Sequence, residues 1–179
     1  DGINSDIKNE VKLTTKKELL IYSYRVAGTV GLMMAKILEV NKKNSLKSAI
    51  DLGIAMQLTN ISRDIIEDSK RNRFYVLHNF DSIKETLKIA DLFYESSFAS
   101  IKKIPLSFRF SILVARRVYR KIGHNILNKK TIENYNNSGK IYVNNIGKII
   151  QTFLSLYDLV RLLLIKDEDH LRYKEHQTI

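Results

Sequence analysis

The chain has 179 residues, 44% hydrophobic and 27% charged, which is enough to bury a sizeable core and too apolar for a disordered polypeptide. Lys and Arg number 30 against 19 Asp and Glu, for a net charge of +11, so the chain attracts anions: nucleic acid, membrane surfaces and phosphorylated metabolites all qualify. Cysteine is absent, which excludes disulfides, thiolate nucleophiles and cysteine-held zinc.

One proline and seven glycines interrupt little, and Leu, Ile, Lys and Ala recur every three or four residues, so the predicted fold is all-α. Thr15 and Glu18 have the spacing of a capping box and start a first helix toward Val40, weakened in its middle by Gly28 and Gly31. Ser45 is the expected cap of a second helix ending near Asp68, buried because its apolar residues are nearly continuous. Residues 69–79 turn basic and irregular, and Asp81 is the expected cap of a third helix through Ile83, Leu87, Ala90, Tyr94 and Phe98. Pro105 opens a fourth. Residues 128–138 read as an exposed polar loop, and a last helix carries Ile146, Ile149, Ile150, Phe153, Leu154 and Val160.

The longest run without a charge, Leu52 to Ser62, has 11 residues against the ~18 a membrane-spanning helix needs. Without a dividing linker, repeat or low-complexity tract, residues 1–179 are expected to form a single domain. The sequence starts at Asp1 with no basic-then-apolar leader, and its true start is expected to be missing.

Asn60, Asp64 and Asp68 step by four residues, so each is rotated only ~40° from the last on a helix, and Gln57 joins the same stripe. Carboxylates aligned on a buried helix need a compensating cation. Mg2+ prefers such oxygen ligands and leaves sites for substrate phosphates. Arg63, Lys70, Arg71 and Arg73 lie beside the stripe, suited to bidentate phosphate binding. The competing reading is a solvated face of acids followed by bases. Small residues also crowd the stretch Tyr22 to Met34. Tight helix packing explains them, as does a cavity for a long apolar ligand lined by Val26, Ala27, Gly31 and a facing Gly53.

The segments YSYRVAGTVGLM (Tyr22 to Met33) and DLGIAMQLTNISRDIIEDSKRNRFY (Asp51 to Tyr75) resemble the squalene/phytoene synthase family, most closely its bacterial phytoene synthases. The likeness continues more weakly through Val118-Tyr119-Arg120 and Ile141-Tyr142-Val143. It implies an isoprenoid synthase-type helical bundle around a central cavity, with N-terminal helices missing here. In that family two aspartate-rich motifs bind Mg2+, for which Mn2+ substitutes, and the diphosphates of two prenyl substrates.

Carried onto this sequence, the resemblance makes Asn60, Asp64 and Asp68 metal ligands. Asp64 and Asp68 join Tyr22 and Tyr119 as catalytic residues. Gln57, Arg63, Arg73 and Tyr75 line the diphosphate region, while Val26, Ala27, Gly31 and Gly53 form the cavity wall. Lys140 stands where the family has an arginine. The first aspartate-rich motif has no counterpart, so the 179 residues are expected to be inactive alone.

The implied reaction is head-to-head condensation of two geranylgeranyl diphosphates to phytoene through a cyclopropyl intermediate, in carotenoid biosynthesis. The alternatives are a squalene-type synthase acting on farnesyl diphosphate and a non-catalytic, membrane-associated assembly factor. No helix combines a basic face with interleaved aromatics, so nucleic acid is not an expected partner. Excess lysine suits peripheral attachment to anionic lipid from the cytoplasm.

Overall fold

A computed structural model of the chain describes residues 10–165 and 170–178. Helix α1 (Lys16–Ser23) begins at the expected capping box: Thr15 accepts from the Glu18 amide, and Glu18 reaches back to the Thr15 amide. The predicted first helix does not simply weaken at its glycines. It widens into a π-helical turn, Tyr24–Gly28, closed by the Thr29 amide on the Tyr24 carbonyl, and continues as α2 (Thr29–Ile37). Such insertions are frequent at functional sites.

Helix α3 (Lys43–Ser69) is the long central helix. It starts before the expected cap, because extended Lys42 already offers its carbonyl to the Leu46 amide at 3.0 Å; Ser45 is buried inside the first turn. Beyond it, β2 (Arg73–Phe74) pairs in parallel with β1 (Val11–Lys12), two short strands that helical periodicity could not reveal. Helix α4 (Phe80–Phe98) is capped by Asn79, whose side chain accepts from the Ser82 amide at 2.8 Å, and not by Asp81. Asp81 instead lies in the first turn, where the helix dipole favours an acid.

A 3-10 turn (Ala99–Lys103) leads past Pro105 to α5 (Leu106–Leu127). The expected loop at 128–138 contains a short helix, α6 (Ile132–Asn136), capped by Thr131. Its Tyr135 is buried, and the hydroxyl donates to the carbonyls of Ser62 and Arg63 at 3.0 and 2.9 Å. Polarity of the surrounding sequence concealed this inward residue. Helix α7 (Asn145–Leu164) follows, and the chain closes with a second 3-10 turn, Lys174–Thr178.

Three apolar clusters hold these elements around α3. One joins Leu19, Leu20 and Tyr22 to Ile54, Leu58, Ile61, Phe93 and Tyr94. A second gathers Ile65, Ile83, Leu87, Ile122, Ile126 and Tyr135, and a third fastens α7 through Leu162 to Phe98, Ile101 and Leu113.

Helix α7 is inverted. Ser155 and Asp158 are buried, with Asp158 held by both Nε and Nη2 of Arg117, while Ile146, Ile149, Ile150, Phe153, Tyr157, Val160, Leu163 and Leu164 are exposed. Val30, Met33, Met34 and Ile37 of α2 are exposed as well. No described helix is long and apolar enough to cross a membrane.

Candidate functional site

The α2–α3 hairpin brings two small-residue steps together. A Cβ built on Gly53 would lie 2.2 Å from the Ala27 carbonyl oxygen, and one on Gly31 would lie 2.1 Å from that of Ala49. Ala27 and Gly31 thus interlock with Ala49 and Gly53 one helical turn apart, and the two backbones touch where only hydrogen atoms fit. The tight seam is also the edge of a cavity.

That cavity encloses about 370 Å³, within the usual range for small-molecule pockets. Val26, Ala27, Gly31, Leu52, Gly53 and Met56 line it, and Gln57 and Asn60 form its polar end. Val30 and Met34 also line it and are 46% and 52% exposed, so it opens on the α2 side. The Asn60 Oδ1 is buried and has no hydrogen-bond partner among the described residues. A buried amide oxygen without a donor is costly unless a ligand satisfies it.

Asp64 sits further along the stripe. Arg63 grips it through two bonds, Nε to Oδ1 at 2.8 Å and Nη2 to Oδ2 at 2.6 Å, and the Lys140 ammonium stands 3.5 Å from Oδ1 while binding Glu67 at 2.8 Å. Burial pushes the Asp64 carboxyl up, but Arg63 and Lys140 outweigh it and hold the group below the ordinary range. Asp68 goes the other way. Burial, then the charge of Asp64, raises it to about 6. The cations therefore compensate Asp64 and leave Asp68 the under-compensated member of the pair.

Asp68 lines a different hollow from Asn60, together with Arg73, Phe74 and Tyr75. Tyr75 stacks on buried Tyr22 with ring centroids 4.7 Å apart, and the Tyr22 hydroxyl donates to that of Tyr75 at 3.0 Å. Tyr119 is half-buried between two of the core clusters, within electrostatic reach of Arg63. The expected residues therefore divide into an apolar cavity ending at Asn60 and a charged hollow at Asp68, with Asp64 and its cations between. The Tyr135 brace beneath α3 is the addition that the fold supplies, and Lys140, where the family has an arginine, is brought to Asp64 and Glu67.

The donor set on the stripe is all oxygen. With an orphaned amide oxygen and an ionisation-resistant carboxylate, it fits a hard divalent cation.

A family description, squalene/phytoene synthase, matches residues 1–76. The 15-cis-phytoene synthase of Enterobacter agglomerans is 36% identical over 147 residues, covering 70% of this chain and 50% of that protein. The phytoene synthase of Thermus thermophilus reaches 50% identity over 76 residues, 42% of this chain and 26% of that protein. A crystal structure of a dehydrosqualene synthase in complex with ligand superposes with a TM-score of 0.74 at 26% identity, covering 89% of this chain and 64% of that one. The chain belongs to the squalene/phytoene synthase family. It spans about half the length of the curated relatives that it matches. The bundle around a cavity is accordingly an isoprenoid synthase-type fold.

Proposed function

We propose that this chain forms the C-terminal half of a Mg2+-dependent phytoene synthase and is inactive by itself. The observation that carries the reading is the apolar cavity ending at an unsatisfied Asn60 oxygen, with Asp64 one turn and Asp68 two turns further along the same face of α3. A greasy tunnel next to a cation-seeking polar end suits an amphiphile with a hydrocarbon tail and an anionic head.

Asn60, Asp64 and Asp68 would hold the metal, which supplies Lewis-acid stabilisation of the departing diphosphate. Arg63 now satisfies Asp64, and its fork becomes available to phosphate oxygens once that carboxylate has another cation. Arg73 and Tyr75 border the same hollow as Asp68. Val26, Leu52 and Met56 keep water from the allylic cation that forms when the first substrate's diphosphate leaves; the second prenyl double bond attacks that cation, and a proton leaves as the ring closes to the cyclopropyl intermediate. Tyr22 and Tyr119 offer ring faces to positive charge. Peripheral attachment to lipid from the cytoplasm fits the substrates' hydrophobicity and the net charge of +11.

The deciding experiment incubates the full-length protein with labelled geranylgeranyl or farnesyl diphosphate and Mg2+, with and without NADPH. Phytoene from the C20 substrate without NADPH is the expected product. A squalene-type product from the C15 substrate would replace the reading, and no turnover from a folded, metal-loaded protein would leave an assembly role. Val26→Phe should shorten the accepted prenyl chain, because Val26 lines the cavity; chain selectivity is read from product length. An unchanged product profile removes Val26 from the wall.

A further inference from the structure

Half a turn around α3 from Asn60 lies a second polar cluster that the synthase chemistry does not use. Asp51 is 3% exposed, and its Oδ2 receives three contacts: Ser96 Oγ of α4 at 2.5 Å, His170 Nε2 at 2.5 Å and His176 Nε2 at 3.0 Å. Both imidazoles come from the C-terminal segment, and their side chains are nearly as buried as the carboxylate. The His176 ring also packs on Phe93 at 4.8 Å and meets His170 edge-on at 5.1 Å.

A carboxylate and two imidazoles with donor atoms within 4.8 Å of one another are a ligand set for a transition metal. Proton positions decide against it. The Tyr173 amide donates to His176 Nδ1 at 2.9 Å, so that nitrogen carries the lone pair and Nε2 carries the hydrogen. His170 Nδ1 is buried with no hydrogen-bond partner among the described residues; an unpaired lone pair there costs less than an unpaired N–H, which again puts the hydrogen on Nε2. An imidazole that ligates a metal through Nε2 donates its Nδ1–H to an acceptor. Neither ring has one among the described residues.

We infer that residues 170–178 form a strap fastened to the core by hydrogen bonds, with Asp51 as its single buried anchor and Ser96, His170 and His176 as the donors. Burial pushes the Asp51 carboxyl up, yet the donors from His170, His176 and Ser96 together hold it below its ordinary range, as a charged acceptor of several bonds requires. The only other ion pair tying the strap down among the described residues is Lys16 to Glu175 at 3.0 Å, with Lys16 46% exposed, and it contributes little. The anchor also reaches the cavity: Ser48, whose hydroxyl bonds Ser100 at 2.9 Å and touches the Ser96 carbonyl, lines it with Ser97 and Ser100. Asp51 thereby ties the strap to the α3–α4 seam at the back of that cavity.

The strap contains two trypsin sites, Arg172 and Lys174. Limited proteolysis of the purified chain, followed by mass spectrometry, reads its opening directly. Asp51→Asn and the double variant His170→Ala with His176→Ala should each speed cleavage at these sites about tenfold or more. Helical circular dichroism and cleavage elsewhere should stay unchanged. Lys16→Ala should remain within about twofold of the native rate. If Asp51→Asn fails to fold, the histidine variants, which lie on the strap, carry the test. Native-like protection in the histidine variants overturns the proposal. So does protection of the native chain that collapses with EDTA and returns with Zn2+, since the strap would then be held by metal.

Discussion

Gly53→Ala is expected to lower the melting midpoint by ~6–12 °C, a large loss for the addition of one methyl group. The added methyl would sit 2.2 Å from the Ala27 carbonyl oxygen and 2.8 Å from its carbon. Those atoms are backbone, so relief requires the π-helical turn and α3 to separate, and overpacking of this kind reaches ~3 kcal/mol. Gly31→Ala should behave alike against Ala49. Gly139→Ala serves as the comparison: its φ is +60° but nothing lies within 4 Å, so only backbone strain of roughly 1 kcal/mol applies. Thermal melts by circular dichroism give the ranking. A Gly53→Ala midpoint within a degree of native would mean that the helices are not in contact. The glycines are thus unsuitable for probing chain length, since a larger residue there breaks the seam before it fills the cavity; Val26 is the proper probe.

Asp64→Asn in the full-length protein should cut Mg2+-dependent turnover by ~10²–10³, because the Lewis-acid contribution at stake is several kcal/mol. Retained activity would remove the metal assignment. Asp68→Asn should show the same loss, together with a gain in stability whose sign follows from titration. The folded carboxyl titrates near 6, above its ordinary 3.8. Its ionised form therefore opposes folding fully above about pH 6, and the penalty fades as pH falls toward 3.8. Removing the charge should raise stability of the metal-free chain at pH 7.5 by on the order of 1 kcal/mol, after discounting for solvent screening. At pH 4 the two proteins should melt together. Equal midpoints at both pH values would show that Asp68 carries no such burden.

How far the sequence could be read depended on which residues spoke locally. The Thr15–Glu18 box is a local exchange of bonds, and the structure contains it. The four-residue step of Asn60, Asp64 and Asp68 is a property of one helix, so their shared face was legible. What they face was not. That Asn60 closes an apolar cavity while Asp68 turns toward Arg73 depends on α1, α2 and the short β1–β2 pairing. Capping by Asn79 instead of Asp81 was a choice between neighbouring polar residues that spacing alone does not make. Tyr135 and Lys140 reach the site from some seventy residues away in the chain, and no periodicity encodes that return. Apolar spacing in α7 announced a helix but not its orientation, because Leu162 and the buried Asp158–Arg117 pair select the inward side.

The outward Ile, Leu and Phe side chains of α7 bear on every measurement made with this polypeptide. Any body that shields them binds the folded form and not the unfolded one, and so lifts the transition by mass action in proportion to the logarithm of its concentration. A melting temperature recorded for the isolated chain is therefore a floor. Concentration series, with and without a covering polypeptide, separate its intrinsic stability from what association adds.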